Sequence, residues 1–248
     1  LSINPYYAPT YYNMAIALAQ TGRMQGAIDN FEKALIINPN YAMAHNDLGI
    51  VLAMNAKMPE AIEHFKQALK LLPKEANIYK NLGMAMAATG RPQEAIKLFE
   101  QALALKPDLA EAHYQLGLIL ADLGRKHEAI EHFKQALRFD TDHPDVQYNL
   151  GLNLVDTGHV RDAIEYFIQV IKLKPDSIDA YTNLMLAYAS LNQSAEAVAY
   201  AQKGLEVARS KGQTEQAKKI EDWLNSYQAG QGILPGTPPS SKSVFPKP

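Results

Sequence analysis

A phenylalanine recurs every 34 residues along much of this chain. The interval separates Phe31, Phe65, Phe99, Phe133 and Phe167. The residues that follow are similar each time, as in "FEKALIINPN", "FKQALKLLPK" and "FEQALALKPD". A period of about 20 to 50 residues is typical of repeat architectures. It is considered before any prediction of individual helices or strands. The sequence therefore predicts an array of similar structural repeats.

The repeats align without insertions or deletions when the first begins at Ala8. They span residues 8–41, 42–75, 76–109, 110–143, 144–177 and 178–211. Position 15 of the repeat carries Gly or Asn in all repeats but the second, and these residues favour the left-handed backbone that ends a helix. Proline at position 32 of four repeats cannot continue a helix. Each repeat is therefore predicted to form two helices, separated by a turn and followed by a stop.

The residues shared by the repeats resemble the tetratricopeptide repeat. In the third repeat they are Leu82, Gly83, Gly90, Ala95, Phe99, Ala102 and Pro107. The resemblance implies an all-α fold, a right-handed α-solenoid superhelix of helix-turn-helix repeats whose concave groove binds a protein or peptide. Physical reasoning agrees, because a two-helix hairpin cannot bury both of its faces alone and must stack on its neighbours. The recurring phenylalanines are predicted to lie in the core of this stack.

The segments outside the six repeats have different patterns. Residues 1–7 align with the end of a repeat, so we expect the end of a truncated preceding repeat and read the chain as a fragment of a longer protein. Residues 212–228 have apolar residues at helical spacing and are predicted to form a capping helix over the last repeat. Residues 229–248 contain five prolines and three glycines, a composition expected to give a flexible tail.

One face of the first helix of each repeat varies between repeats and is the candidate binding surface. At about 100° per residue, positions 2, 5, 6, 9, 12 and 13 share this side, which we call the groove face. Position 6 carries Asn13, Asp47, Asn81, Gln115, Asn149 and Asn183. A carboxamide offers both a donor and an acceptor to the backbone of an extended peptide. The row is similar to the asparagine ladder of the O-linked N-acetylglucosamine transferases, which implies binding of protein substrates by their backbone. The alternative is that these amides bond neighbouring helices or water.

Other positions of the groove face complete the predicted peptide-binding set. Position 5 contributes Tyr12, Lys80, Tyr114 and Tyr148, and position 9 contributes an apolar row with Ile50, Met84, Leu118 and Leu152. Position 2 contributes Glu111 and Asp145. The acidic residues of this face outnumber its single base, Lys80, which favours a neutral or basic partner. The alternative is a solvated acidic face that has no role in binding.

Composition and spacing speak against other functions. The net charge of −2 and the absence of Lys and Arg clusters argue against nucleic-acid binding. No apolar run reaches the roughly 18 residues of a membrane span, so no membrane insertion is expected in this segment. There is no cysteine for a thiolate site. His127 and His132 are five residues apart and diverge by about 140° on a helix, unlike a zinc-protease pair.

The sequence therefore predicts a protein that is not an enzyme, has no cofactor and no metal site, and serves as an interaction scaffold. The alternative function is a substrate-recruiting arm of a larger enzyme, such as a glycosyltransferase, whose catalytic domain lies outside this fragment. Two hypotheses of self-association remain beside it. In one, the tail segment "SKSVFPKP" docks in a groove, and in the other the truncated first repeat stacks on a second copy.

Overall fold

A computed structural model describes residues 7–230, and every regular element within that range is an α-helix. The helices are α1 Ala8–Gln20, α2 Met24–Ile37, α3 Ala42–Met54, α4 Met58–Leu71, α5 Ala76–Ala88, α6 Pro92–Leu105, α7 Ala110–Asp122, α8 Lys126–Phe139, α9 Pro144–Asp156, α10 Val160–Leu173, α11 Ile178–Ser190, α12 Ser194–Ser210 and α13 Thr214–Gln228. The predicted all-α fold of helical hairpins is confirmed. None of these helices is long and apolar enough to cross a membrane.

The turn inside each hairpin is made by a residue in the left-handed backbone region. Position 15 has a positive φ in all six repeats, including Ala56 at 58° and Asn192 at 59°, where the other repeats have glycine. The N–H of this residue and of the next one bond to carbonyls in the last turn of the preceding helix, as Gly90 bonds to Ala87 and Arg91 to Met86. These bonds satisfy carbonyls at the helix end that would otherwise lack a partner.

The chain divides into two compact units, and the division falls within α7 after Gln115. In the described part of the first unit, α1 packs on α2, α3 on α4 and α5 on α6, with α2 against α3 and α4 against α5. In the second unit, α8 contacts α9, α9 packs on α10, and α11 packs on α12. Each unit thus repeats one arrangement, in which the second helix of a hairpin contacts the first helix of the next.

The recurring phenylalanines form the centre of the hairpins, as predicted. All five have exposed fractions of 2% or less. Four of them lie against a glycine at position 8 of the same repeat: a Cβ built on Gly49 would be 2.7 Å from the ring of Phe65, and one built on Gly151 would be 2.6 Å from the ring of Phe167. The two helices of a hairpin therefore approach as closely as a ring resting on bare backbone allows.

The last helix, α13, covers the end of the second unit. It packs on α12, and its Ala217, Ile220, Trp223 and Leu224 are buried in a cluster with residues of α11 and α12. The prediction of a capping helix is confirmed. Most of the tail predicted for residues 229–248, from Gln231 onward, lies outside the described residues, as do the first six residues.

The strained turn of the second repeat gives the first prediction. Replacing Ala56 by Gly should raise the free energy of unfolding by about 1 kcal/mol, because a left-handed backbone is costly for a residue with a Cβ. The reverse change, Gly90→Ala, should lower it by a similar amount, since a Cβ at Gly90 would meet nothing within 4 Å and only backbone strain is added. Urea denaturation measures both, and shifts of the same sign would contradict the explanation.

The glycines that lie against phenylalanine rings give a second prediction. Gly151→Ala should lower the free energy of unfolding by roughly 1 to 3 kcal/mol through overpacking against Phe167. Gly83→Ala is the matched control, because its Cβ would lie 3.1 Å from Phe99. The helical preference of Ala over Gly, about 1 kcal/mol, should offset most of that milder contact. Equal effects of the two changes on thermal unfolding would show that contact with the ring does not determine the loss of stability.

Candidate functional site

Side chains of the groove face in the first unit form one hydrogen-bonded chain across three helices. The hydroxyl of Tyr12 on α1 donates to Oδ2 of Asp47 on α3 at 2.6 Å. Oδ1 of Asp47 accepts from Nδ2 of Asn46 at 2.8 Å, and Oδ1 of Asn46 accepts from Nδ2 of Asn81 on α5 at 3.0 Å. Burial, followed by the hydrogen bond to Asp47 and its charge, raises the pKa of Tyr12. These hydrogen bonds therefore favour a protonated Tyr12 and fix the positions of all four side chains.

One contact between neighbouring first helices is also present in the second unit. Nδ2 of Asn183 on α11 donates to the hydroxyl of Tyr148 on α9 at 3.0 Å and to the carbonyl of Asp179 at 2.9 Å. Nδ2 of Asn149 donates to the carbonyl of Asp145 at 2.8 Å. Burial, with a smaller contribution from the charge of Asp179, raises the pKa of Tyr148 to about 12.

These bonds share one geometry, in which position 5 of a repeat meets position 6 of the next. Tyr12 with Asp47, Asn46 with Asn81, and Tyr148 with Asn183 are each 35 residues apart. We call this contact a rung. Four amides of the row, Asn81, Gln115, Asn149 and Asn183, are bonded within their units through their NH2 groups. Within residues 7–230, no hydrogen bond to the amide oxygen of Asn81 is found, which leaves that oxygen as an acceptor.

A cavity of about 320 Å³ opens beside the amides of the first unit. Its apolar walls come from Ile50, Met54, Met58, Phe65 and Met84. Asn81 and Gln115 contribute its polar lining, and Nε2 of Gln115 donates to Oε1 of Glu111 at 2.8 Å. Although its walls are apolar, Met54 is 67% exposed and Met84 is 38% exposed. The cavity thus brings two predicted amides together with Ile50 and Met84 of the predicted apolar row.

The remaining predicted residues are spread along the groove face with unequal exposure. Asn13 and Asp145 are exposed, Asn183 is 8% exposed, and Leu152 is buried. The half-buried members are Tyr12, Asp47, Lys80, Asn81, Glu111, Tyr114, Gln115, Leu118, Tyr148 and Asn149. Leu152 and Asn183 pack within the second unit, so that part of the face is more closed than the sequence suggested.

The acidity expected of the second unit is partly balanced by lysines outside the groove face. Nζ of Lys126 lies 2.7 Å from Oδ2 of Asp156, and Nζ of Lys174 lies 2.7 Å from Oδ1 of Asp145. Both lysines lie after the first helix of their repeat, Lys126 at the start of α8 and Lys174 just after α10, so a count restricted to the first helix missed them. Asp145 therefore has a basic partner already. Such exposed pairs contribute about 0 to 1 kcal/mol.

Two histidines of the first unit form a contact between α3 and α4. Nδ1 of His45 and Nδ1 of His64 are 3.0 Å apart, and Nε2 of His45 bonds the carbonyl of Pro39 at 3.1 Å. Since a carbonyl only accepts, Nε2 of neutral His45 carries the proton and His64 donates to His45. Burial lowers the pKa of His64, and the positive charge that a protonated His45 would carry lowers it further. No group of three or more potential metal-ligating side chains occurs within residues 7–230.

Sequence reasoning missed two components of the face in the first unit. Asn46, at position 5, is 5% exposed and joins two neighbouring rungs. The methionines Met54 and Met58 line the cavity although neither belonged to the predicted set. A signal for the cavity was present, because seven of the eight methionines precede residue 87.

Helical hairpins repeating every 34 residues, with a glycine against a phenylalanine ring in four of them, are characteristic of a tetratricopeptide-repeat protein. Residues 7–221 match the family described as Cilia and flagella-associated protein 70 C-terminal domain. The chain belongs to this family of tetratricopeptide-repeat domains. No curated protein matches the chain significantly.

Solved structures with the same repeat are numerous. A MamA structure is 31% identical with a TM-score of 0.63, and the match covers 67% of this chain and 97% of that chain. YrrB, described as a TPR protein with an unusual peptide-binding site, is 26% identical with a TM-score of 0.59 and coverages of 71% and 91%. The C-terminal part of a TPR repeat-containing protein from Cytophaga hutchinsonii is 20% identical with a TM-score of 0.76 and coverages of 89% and 88%. This last likeness shows the fold alone.

The rung at Tyr148 gives a third prediction. Between the ordinary pKa of 10.0 and the raised value of about 12, the unfolded chain loses a proton that folded Tyr148 keeps. The free energy of unfolding should therefore fall as the pH rises through this window. In Tyr148→Phe this decrease with pH should be smaller. At neutral pH the free energy of unfolding of the variant should be about 1 kcal/mol lower, because the hydrogen bond from Asn183 is missing. Urea denaturation across alkaline pH tests this, and parallel curves for the two proteins would refute it.

Proposed function

We propose that this chain is a non-catalytic protein-interaction scaffold that binds an extended peptide segment on the groove faces of its two units. The observation that carries the proposal is the exposed apolar cavity of the first unit, lined in part by the amides Asn81 and Gln115. Exposed apolar surface with polar groups beside it is characteristic of interaction sites.

The hydrogen bonding of the amides supports backbone recognition. Asn81 and Gln115 use their NH2 groups inside the first unit, in bonds to Asn46 and Glu111. Their carbonyl oxygens can then accept N–H groups of a bound segment, as a β-strand edge does. Because the internal bonds already hold the side chains, little rotamer entropy is lost on binding. The peptide-binding site described for YrrB, a structural neighbour, agrees with this use of the fold.

The expected partner is a protein segment that is neutral or basic. Acceptor oxygens and the carboxylate of Glu111 favour donors and positive charge on the bound chain. In the second unit Asp179 adds a further acid, while Asp145 and Asp156 have lysine partners. A substrate-recruiting arm of a larger enzyme would use the same surfaces and differ only in the domain to which it is joined.

Amide substitutions test the proposal. The triple variant Asn81→Ala, Gln115→Ala, Asn149→Ala should weaken binding of the strongest ligand from a peptide array by at least about ten-fold, since each hydrogen bond contributes about 0.5 to 1.5 kcal/mol. Fluorescence anisotropy measures the affinity. Circular dichroism should show unchanged helical content and a Tm lower by a few degrees, because the bond from Asn81 to the buried Asn46 is lost.

The chain offers a matched control in which the same kind of side chain recurs at the same interval. The control variant is Gln67→Ala, Gln101→Ala, Gln135→Ala, on α4, α6 and α8. These glutamines follow the core phenylalanines by two residues. The control should bind the peptide as the unsubstituted chain does. Full affinity in the groove-face variant, or an equal loss in the control, would contradict the proposal.

A further inference from the structure

The cavity of the first unit is suited to one large apolar side chain of a bound segment. Its volume of about 320 Å³ lies at the lower end of the roughly 300 to 1,000 Å³ of ligand pockets. Three of its apolar wall residues are methionines, whose unbranched and polarizable side chains adapt to an inserted group and contact aromatic rings favourably. The walls therefore favour an aromatic or a large aliphatic side chain.

The polar lining of the cavity favours particular residues next to that side chain in the bound segment. The NH2 groups of Asn81 and Gln115 donate within the unit, and Glu111 adds a carboxylate next to Gln115. With one N–H of each amide already used, this edge offers a partner mainly acceptors and negative charge. Lys80 is the base on the groove face of this unit. The matching segment would supply backbone N–H groups and a basic side chain a few residues from the apolar one.

We propose that the cavity binds Phe245 of the chain's own segment 241–248, with Lys247 directed to Glu111. This inference rests on the proposed function and names a ligand for the same site. The segment lies outside the described residues, and its sequence, "SKSVFPKP", places Phe245 between Lys242 and Lys247. Charge complementarity with the acceptor-rich edge is thus combined with an apolar side chain of suitable size.

The prolines of the segment support an extended course. The residue before a proline is biased toward extended conformations, and this applies to Phe245 and Lys247, which precede Pro246 and Pro248. Phe245 and Lys247 each keep an N–H for the amide oxygens, whereas Pro246 has none. In an extended chain the two residues are about 6.6 Å apart along the backbone.

The segment that fills the cavity can belong to the same molecule or to a second copy. Phe245 lies fifteen residues after Gly230, the last described residue, and the chain between them can span at most about 50 Å. Either source places the same side chain in the same cavity. A dilution series separates the two, because only binding between copies weakens at low concentration.

Methionine methyl signals in the full chain test the proposal. The methyl resonances of Met54, Met58 and Met84, recorded with ¹³C-labelled methionine, should shift in Phe245→Ala because an aromatic ring leaves their surroundings. Met185, buried in the second unit, is the internal reference. Leu234→Ala, in the same tail, is the matched control and should leave all these signals in place.

Adding the peptide of residues 241–248 to the Phe245→Ala chain should restore the three signals, and the same peptide with Ala for Phe should not. Glu111→Gln should weaken binding of that peptide by up to about five-fold, which corresponds to the free energy of an exposed ion pair. Unchanged methionine signals in Phe245→Ala would overturn the proposal, as would restoration by the Ala peptide.

The outcome also separates this inference from the proposed function. If Phe245→Ala leaves the methionine signals unchanged while the triple amide variant still loses its array-derived peptide, the inference alone fails. If the triple variant keeps that affinity while Phe245 still shifts the methionine signals, the general peptide-binding proposal fails and the cavity contact stands.

Discussion

The contact between a phenylalanine ring and a bare backbone sets the spacing of the two helices in four of the six repeats. In the second repeat the ring of Phe65 occupies space that a Cβ on Gly49 would enter. The close approach of the two helices sets the rotation of the first helix, and with it the direction of positions 5 and 6. The rungs Tyr12 with Asp47 and Asn46 with Asn81 can form because each hairpin presents these positions in the same way.

The rungs give the groove face a fixed chemical character. An amide that donates to the preceding repeat is held in one orientation, so its oxygen is the part left for other contacts. This divides a carboxamide into a structural end and a free end, as at Asn81. At Asp47 both carboxylate oxygens accept bonds from neighbours within the unit. A surface of this kind is ordered before a ligand arrives, which favours tight binding for a given contact area.

The fold could be predicted from the sequence because it depends on what every repeat shares. The 34-residue period, the turn residue at position 15 and the phenylalanines predicted the hairpins, and the structure buries all five rings. The groove face depends on residues that differ between repeats. The bond from Asn81 to Asn46, the lysines that pair with Asp145 and Asp156, and the wall formed by Met54 and Met58 join positions far apart in the chain. The period brings some of these positions together, but the residue types at each site decide which contact forms, and these contacts appeared only in three dimensions.

The wall of the cavity also has a chemical property that the second unit lacks at the same positions. Its thioether groups, at Met54, Met58 and Met84, can each accept one oxygen atom and become a polar sulfoxide. The second unit has Leu152 and Leu186 at the position of Met84 in the repeat, and an alkyl side chain has no comparable reaction. An oxidant would therefore make this surface more polar, whereas the phenylalanine rings and the rungs contain no thioether, and reductases that act on sulfoxides would reverse the change.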